Sequence, residues 1–232
     1  MDYEQAAAWY RKSAEQGNSD SQNDLGVLYD RGNGMRQDYS QAIAWFRKSA
    51  DQGNAYGERN LALEYWHGNG VHKDVVEAVK WFRKVAEQGE VGAQNALITI
   101  YGEGDKGVPK DQTQALYWQG KIFERFQKQA AAWRATNPKP SLNEEAERQR
   151  ILAENAIREH DLDSAIQHYE KGLAAQPMWP AGWFNLAMVY AEQSKFNYAS
   201  DRMKHYLEMV PDAPDAKEAR EQMIIWEDKA KR

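Results

Sequence analysis

Asp20-Ser-Gln-Asn-Asp-Leu-Gly-Val-Leu-Tyr29 leads through a Gly32-Asn-Gly34 turn into Asp38-Tyr-Ser-Gln-Ala-Ile-Ala-Trp-Phe-Arg-Lys-Ser-Ala-Asp-Gln-Gly53. Shifted by 36 residues, this block falls on itself: Leu25 meets Leu61 and Leu97, Tyr29 meets Tyr65 and Tyr101, and Gly32 meets Gly68 and Gly104. Trp45 likewise matches Trp81 ahead of it and Trp9 behind it. A fixed period of this length is the mark of stacked supersecondary units, each leaning on its neighbours.

Composition agrees with an ordered, packed chain. Of 232 residues, 42% are hydrophobic and 28% charged, which supplies a core and a mixed-sign surface. The formal net charge of −5, from 30 basic and 35 acidic residues, offers no basic stripe to neutralise phosphates, so nucleic acid is not an expected partner. No apolar run approaches the ~18 residues of a membrane-spanning helix, and the first residues lack a signal-peptide pattern. Zero cysteines exclude disulfides and thiolate metal sites in either a reducing or an oxidising compartment. Met1 enters the period halfway: Asp2-Tyr3-Glu4-Gln5-Ala6 aligns with Asp38-Tyr39-Ser40-Gln41-Ala42. The expectation is a fragment of a longer protein, with any targeting segment upstream.

The half-unit from Asp2 to Gln16 has Ala6, Ala7, Trp9, Tyr10 and Ala14 at helical spacing and stops at Gly17-Asn18. It reads as a second helix without its first. Three fuller units follow, with first helices expected at about Asp20 to Asp30, Ala55 to Trp66 and Val91 to Tyr101. Second helices are expected from Asp38 to Gln52, from Asp74 to Gln88, and from Asp111 onward. Asp38, Asp74 and Asp111 stand where a short carboxylate can cap the free amides of a first turn. Small residues at Gly26, Ala42, Ala62 and Ala78 allow close helix approach, and Trp45 and Trp81 are expected to fill the space between helices, each burying roughly 150–250 Å².

These units resemble Sel-one-like repeats: a Leu-Gly-x-x-Tyr first helix, a Gly-x-Gly turn, an Asp-Tyr-x-x-Ala-x-x-Trp-Phe-Arg-Lys second helix, and a closing Glu/Asp-Gln-Gly. The resemblance covers about residues 2 to 125. It implies an all-α fold, a right-handed α-solenoid of helix–turn–helix repeats (an α–α superhelix), serving as an interaction scaffold, and it suggests a bacterial source. The last unit departs from the pattern. Ile98 replaces the small residue, the turn Gly104-Asp105-Lys106-Gly107-Val108-Pro109 is one residue longer, and Phe126 stands where the closing Gly belongs. With no stop signal, its second helix is expected to run to about Arg134, until Asn137-Pro138-Lys139-Pro140 breaks it.

Beyond residues 136–143 the period becomes 34: Pro177 with Pro211, Leu152 with Leu186, Ala153 with Ala187, Ala165 with Ala199. Residues 144–232 resemble tetratricopeptide repeats, with Trp183, Leu186, Ala187 and Tyr190 on a first helix, Ala199, Met203 and Tyr206 on a second, and Pro211 closing. The earlier repeat is degenerate, carrying Gln149 and Ala156 at the Trp and Tyr positions. A final helix, about Pro214 to Lys229 with a stripe at Ala216, Ala219, Met223, Trp226 and Ala230, reads as a cap over the last apolar face. Because both repeats stack in the same way, one continuous superhelix is expected.

Candidate chemistry is sparse. The Gly-x-Gly turns lie between helices and recur with the period, whereas dinucleotide-binding glycines follow a strand. His67 and His72 flank one turn, but neither recurs as His, and both read as solvated. No nucleophile–base or paired-carboxylate arrangement stands out, so no catalytic residue, cofactor or metal is expected.

What the tetratricopeptide resemblance implies is a groove-facing set on each first helix, at fixed offsets from its conserved Leu. Around Leu186 these positions include Phe184 and Met188; around Leu152, Arg150 and Glu154. The same offsets from Leu61 give Tyr56, Arg59, Leu63, Trp66 and His67. Aromatics, Met and Arg are enriched at binding hot spots; Leu63, Trp66, Phe184 and Met188 equally suit packing between repeats. The Lys/Asn clamp for a chaperone's C-terminal carboxylate is not reproduced, since Glu154 would repel it. The reading is a non-catalytic scaffold with a protein or peptide on its concave face. Alternatives are a regulatory or targeting module of a larger protein, enzymatic or not, and a self-associating protein joined through Trp9, Tyr10, Ile224 and Ile225 on its end helices.

Overall fold

A computed structural model describes residues 3–231. Asp2, where the half-unit was expected to open, lies outside the described residues. Within them the fold is all-α and built of helical repeats: α1 Tyr3–Glu15, α2 Ser19–Arg31, α3 Tyr39–Asp51, α4 Ala55–His67, α5 Val75–Glu87, α6 Val91–Glu103, α7 Gln112–Ala135, α8 Glu144–Arg158, α9 Leu162–Ala175, α10 Pro180–Glu192, α11 Phe196–Met209 and α12 Ala216–Lys229. The chain divides into two compact units, 1–123 and 124–232.

In the first unit each hairpin is made by the same few bonds. The Asp38, Asp74 and Asp111 carboxylates accept from the amides of Gln41, Glu77 and Gln114 at 3.0 Å, capping α3, α5 and α7. The backbone amides of these aspartates close the turns, donating to the Tyr29, Tyr65 and Tyr101 carbonyls at 2.8–2.9 Å. Gly32 and Gly68 end their helices at φ 69° and 82°, left-handed geometry that suits glycine. Gly70, at φ 65°, also lies against the start of α3, where an added Cβ would meet Tyr39 Cβ at 2.6 Å. The longer third turn absorbs its extra residue in a reciprocal Asp105–Val108 backbone pair, both bonds 2.8 Å. Gly17-Asn18 does more than stop α1: Asn18 accepts from Ser21 N at 2.8 Å and starts α2, as Asn54 starts α4.

The core corrects the expected role of the tryptophans. Phe46 and Phe82 are each 1% exposed, whereas Trp45 and Trp81 are only half-buried and Trp9 is 72% exposed. The helical phase is the reason: Phe46 shares its face with Ala42 and Ala50, and Trp45 lies about 100° around the helix from it. Gly26 is small because of Phe46, whose ring would stand 2.6 Å from a Cβ there. In the last unit, where Ile98 replaces the small residue and Gln119 follows the Trp, Trp118 itself is buried at 2% exposure.

A polar tie also recurs. Arg11, Arg47 and Arg83 on the second helices reach the hydroxyls of Tyr29, Tyr65 and Tyr101 on the next first helices. Each guanidinium lies 5.7–5.9 Å from the ring centroid. Gln22 and Gln94 donate to the Ala14 and Ala86 carbonyls at 3.1 and 2.9 Å. At the matching position the fully buried Glu58 cannot donate when ionised and pairs with Lys84 instead.

In the second unit, α8–α9 and α10–α11 are hairpins and α12 lies on α11, with Ala216, Ala219 and Trp226 buried. Residues 124–135 of α7 pack on α10 and α11: Phe126 meets Trp183 edge-on at 5.6 Å, and Gln127 donates to Glu208 at 3.1 Å. Three carbonyls at the end of α7, those of Trp133, Arg134 and Thr136, accept from the Lys139 ammonium at 3.1, 2.7 and 2.8 Å.

Candidate partner-binding faces

On α4 the five candidates divide by depth. Tyr56 is 61% exposed. Arg59 lies 5.9 Å from the centre of the Tyr56 ring and 3.5 Å from the Glu90 carboxylate. Glu90 is itself the N-cap of α6, accepting from Ala93 N at 2.5 Å, so this ion pair ties two successive first helices. The pattern could have shown Glu90, because it stands 36 residues after Asn54 and directly follows a closing Gln-Gly.

Leu63 and Trp66 are half-buried and pack against the core of α5 and α6. The Trp66 ring meets Phe82 edge-on at 5.8 Å and stacks on exposed His67 at 5.4 Å. Its side chain hydrogen-bonds Asp105, whose carboxyl is held below its ordinary pKa chiefly by the Lys73 ammonium at 3.0 Å. His72 is exposed. Of the five candidates Tyr56 and His67 are exposed and Arg59 is half-buried beside Tyr56, while Trp66 holds the turn.

On α8, Arg150 is folded onto its own helix. It bonds Glu147 at 2.6 and 3.0 Å and Glu154 at 2.6 Å, which holds the Glu147 carboxyl below its usual range. Arg150 and Glu154 satisfy each other and present little net charge.

On α10, Met188 is 45% exposed and Phe184 is half-buried, its ring edge-on to Tyr206 at 5.1 Å. Phe184 forms part of a cleft of about 340 Å³ with Pro180, Ala181, Asn185, Tyr206, Val210 and the Ala213-Pro214-Asp215 connection. The expected groove residue Phe184, with Ala181 three positions before it, therefore lines a real concavity. Sequence reading missed the other wall, which comes from the connection after α11. Burial and the hydrogen bond to Asp215 at 2.5 Å push the Tyr206 hydroxyl pKa up. A second cleft, about 260 Å³, lies between residues 194–198 and Lys229–Ala230. Among the described residues no three His, Asp or Glu stand close enough to hold a metal ion, and no helix is long and apolar enough to cross a membrane.

A Sel1 repeat model matches residues 2–18, 19–54, 55–90 and 93–118. Residues 2–118 are Sel1 repeats. The matched boundaries at 19 and 55 coincide with the starts of α2 and α4. Among solved structures, the chain is similar to a Sel1 repeat protein from Oxalobacter formigenes, with 26% identity, a TM-score of 0.52, and coverage of 96% of this chain and 94% of that one. It is also similar to a protective antigen of uropathogenic Escherichia coli strains displaying an SLR fold, at 25% identity and a TM-score of 0.52, covering 98% of this chain. The chain spans about half of that antigen, 53% of its length. The search of curated proteins gave no match. After the Sel1 repeats come two further helix pairs, α8–α9 and α10–α11, and then α12. Sel1 repeats typically serve as protein–protein interaction scaffolds and are generally non-catalytic.

Proposed function

We propose that this Sel1 repeat protein is a non-catalytic scaffold that holds a peptide or protein partner on the concave, first-helix faces of its repeats. The observation that carries this reading is the cleft beside Phe184. It opens at positions that a repeat groove would use, in a chain whose other large aromatics mostly serve packing. Exposed Tyr56 with Arg59 offers a second contact of the residue types that dominate binding energy.

The reading is tested by pull-down from host extract with the parent chain and a Tyr56→Ser/Arg59→Ser/Phe184→Ser/Met188→Ser variant, checked for helicity by circular dichroism. A protein retained by the parent and lost by the folded variant supports the scaffold; equal retention by both refutes this assignment of faces. A second reading, self-association through the end helices, rests on Trp9 and on Ile224, which is 62% exposed. Sedimentation velocity separates the two: a monomer across micromolar concentrations removes the second.

A further inference from the structure

The geometry points to a specific ligand chemistry for the cleft on α10: a linear peptide that inserts one large apolar side chain and carries a Lys or Arg close by, held at Asp215. This rests on the scaffold reading and narrows it to one site.

The cleft is three-sided. One face of α10 supplies Pro180, Ala181, Phe184 and Asn185, the end of α11 supplies Tyr206 and Val210, and Ala213-Pro214-Asp215 closes it. Its volume of about 340 Å³ is near the lower bound for ligand sites and suits a side chain with a little backbone. The Phe184–Tyr206 pair forms an aromatic wall whose edge-to-face geometry is already set. Pro180 and Pro214 fix φ on two sides of the opening, so little ordering cost falls on binding.

The polar groups are few and specific. Asn185 donates its amide N–H to the Tyr169 hydroxyl at 3.2 Å, and its amide oxygen takes no bond from the described residues, which leaves an acceptor for a peptide N–H. Asp215 accepts from Tyr206 at 2.5 Å, and no basic side chain among the described residues forms an ion pair with it. Arg220, on α12, donates instead to the Pro211 carbonyl at 2.6 Å. None of the residues lining the cleft is basic, so its one formal charge is the Asp215 carboxylate. A cation beside the inserted side chain is matched there, and a carboxylate is repelled.

The test is fluorescence anisotropy of the full chain with fluorescein-labelled hexapeptides. One position is Phe, Leu or Ser, and the next but one is Lys, Ser or Glu. The expected order places Phe/Lys and Leu/Lys tightest, with a loss of about tenfold or more when Lys becomes Glu and again when the apolar residue becomes Ser. Asp215→Asn should bring the Lys and Glu peptides within about twofold of each other, because the hydrogen bond to Tyr206 survives while the charge does not. Ala181→Trp, at an exposed position, should plug the cleft and abolish binding without disturbing the core. Equal binding of Lys and Glu peptides to the parent, or no binding of Phe/Lys at millimolar concentration, overturns the proposal. So does binding that survives Ala181→Trp but is lost in Tyr56→Ser/Arg59→Ser; that outcome moves the peptide to α4 and leaves the scaffold reading standing. Dimerisation of the parent that Ala181→Trp abolishes would assign the cleft to a second copy and likewise overturn it.

Discussion

The Sel1 unit and the second unit hold helices together by different means. In the Sel1 unit one joint recurs with the repeat: an aspartate cap, a glycine turn and an Arg–Tyr tie to the next first helix, with a buried Phe against a small residue in the first two full units. In the second unit a broad core from α8 to α12 is joined by an aromatic cluster with no counterpart 34 residues away, where Phe126, Trp183 and His205 meet across three helices; His205 stacks on Trp183 at 4.4 Å and meets Phe126 edge-on at 4.4 Å. A repeated joint spreads stability along the stack, whereas an aromatic cluster adds a contact specific to one place, and that difference sets what each substitution should do.

The largest effect should come from the repeated core. Phe46→Ala or Phe82→Ala should destabilise the chain by about 3–5 kcal/mol, and Trp45→Ala by less than half of that. Chemical denaturation followed by circular dichroism decides, and a Trp45 cost equal to that of Phe46 would break the assignment of phase.

The two units should next differ in the sign of their pH dependence. Glu64 is buried at the position that is Leu28 in one unit and Ile100 in another, and burial, together with the Asp30 charge, pushes its pKa up to about 7. The folded chain then keeps a proton that the unfolded chain releases above about 4.5. The resulting stability is present at low pH and lost as pH rises from about 4.5 through about 7, on the order of 3 kcal/mol in all. His205 runs the other way. Burial holds its pKa below the ordinary 6.5, against the hydrogen bond to the Asp201 carbonyl at 2.8 Å and the charges of Asp201 and Glu208, with Arg202 acting in the same sense as burial. Its contribution is present above 6.5 and lost as pH falls through the lowered value. Hydrogen exchange on the full chain should show α4 protected better at pH 5 than at pH 8, and α11 the reverse. Glu64→Gln and His205→Phe should each flatten only their own trend.

Smaller effects sharpen the contrast. Tyr65→Phe removes one hydroxyl that Arg47 reaches and should cost about 1 kcal/mol in thermal unfolding. Arg150→Ala breaks only partly exposed pairs within one helix and should change stability by about 1 kcal/mol or less.

The same division explains what was legible in the sequence. Asp38, Asp74 and Asp111 cap where the period put them, and α7 ends at Ala135, one residue past the expected Arg134, because such signals act over a few neighbouring residues. Trp45 was assigned the burial that belongs to Phe46, since adjacent aromatics in a helix differ only in phase. Residues 178 to 215 bring Phe184 together with Asp215 across two helices, and no local pattern announces that meeting. Glu64 was equally silent: an acidic residue at an apolar register looks like a surface residue until its neighbours are placed.

The central claim, that partners are held on first-helix faces, is tested most directly by site-specific photocrosslinking in cells of the source organism. The crosslinker is placed at Tyr56 and at Met188, and in control chains at Val76 and Tyr198, which are exposed on the second helices α5 and α11. The account predicts that a common partner is captured from positions 56 and 188 and not from 76 or 198. Capture from 76 and 198 alone would contradict it.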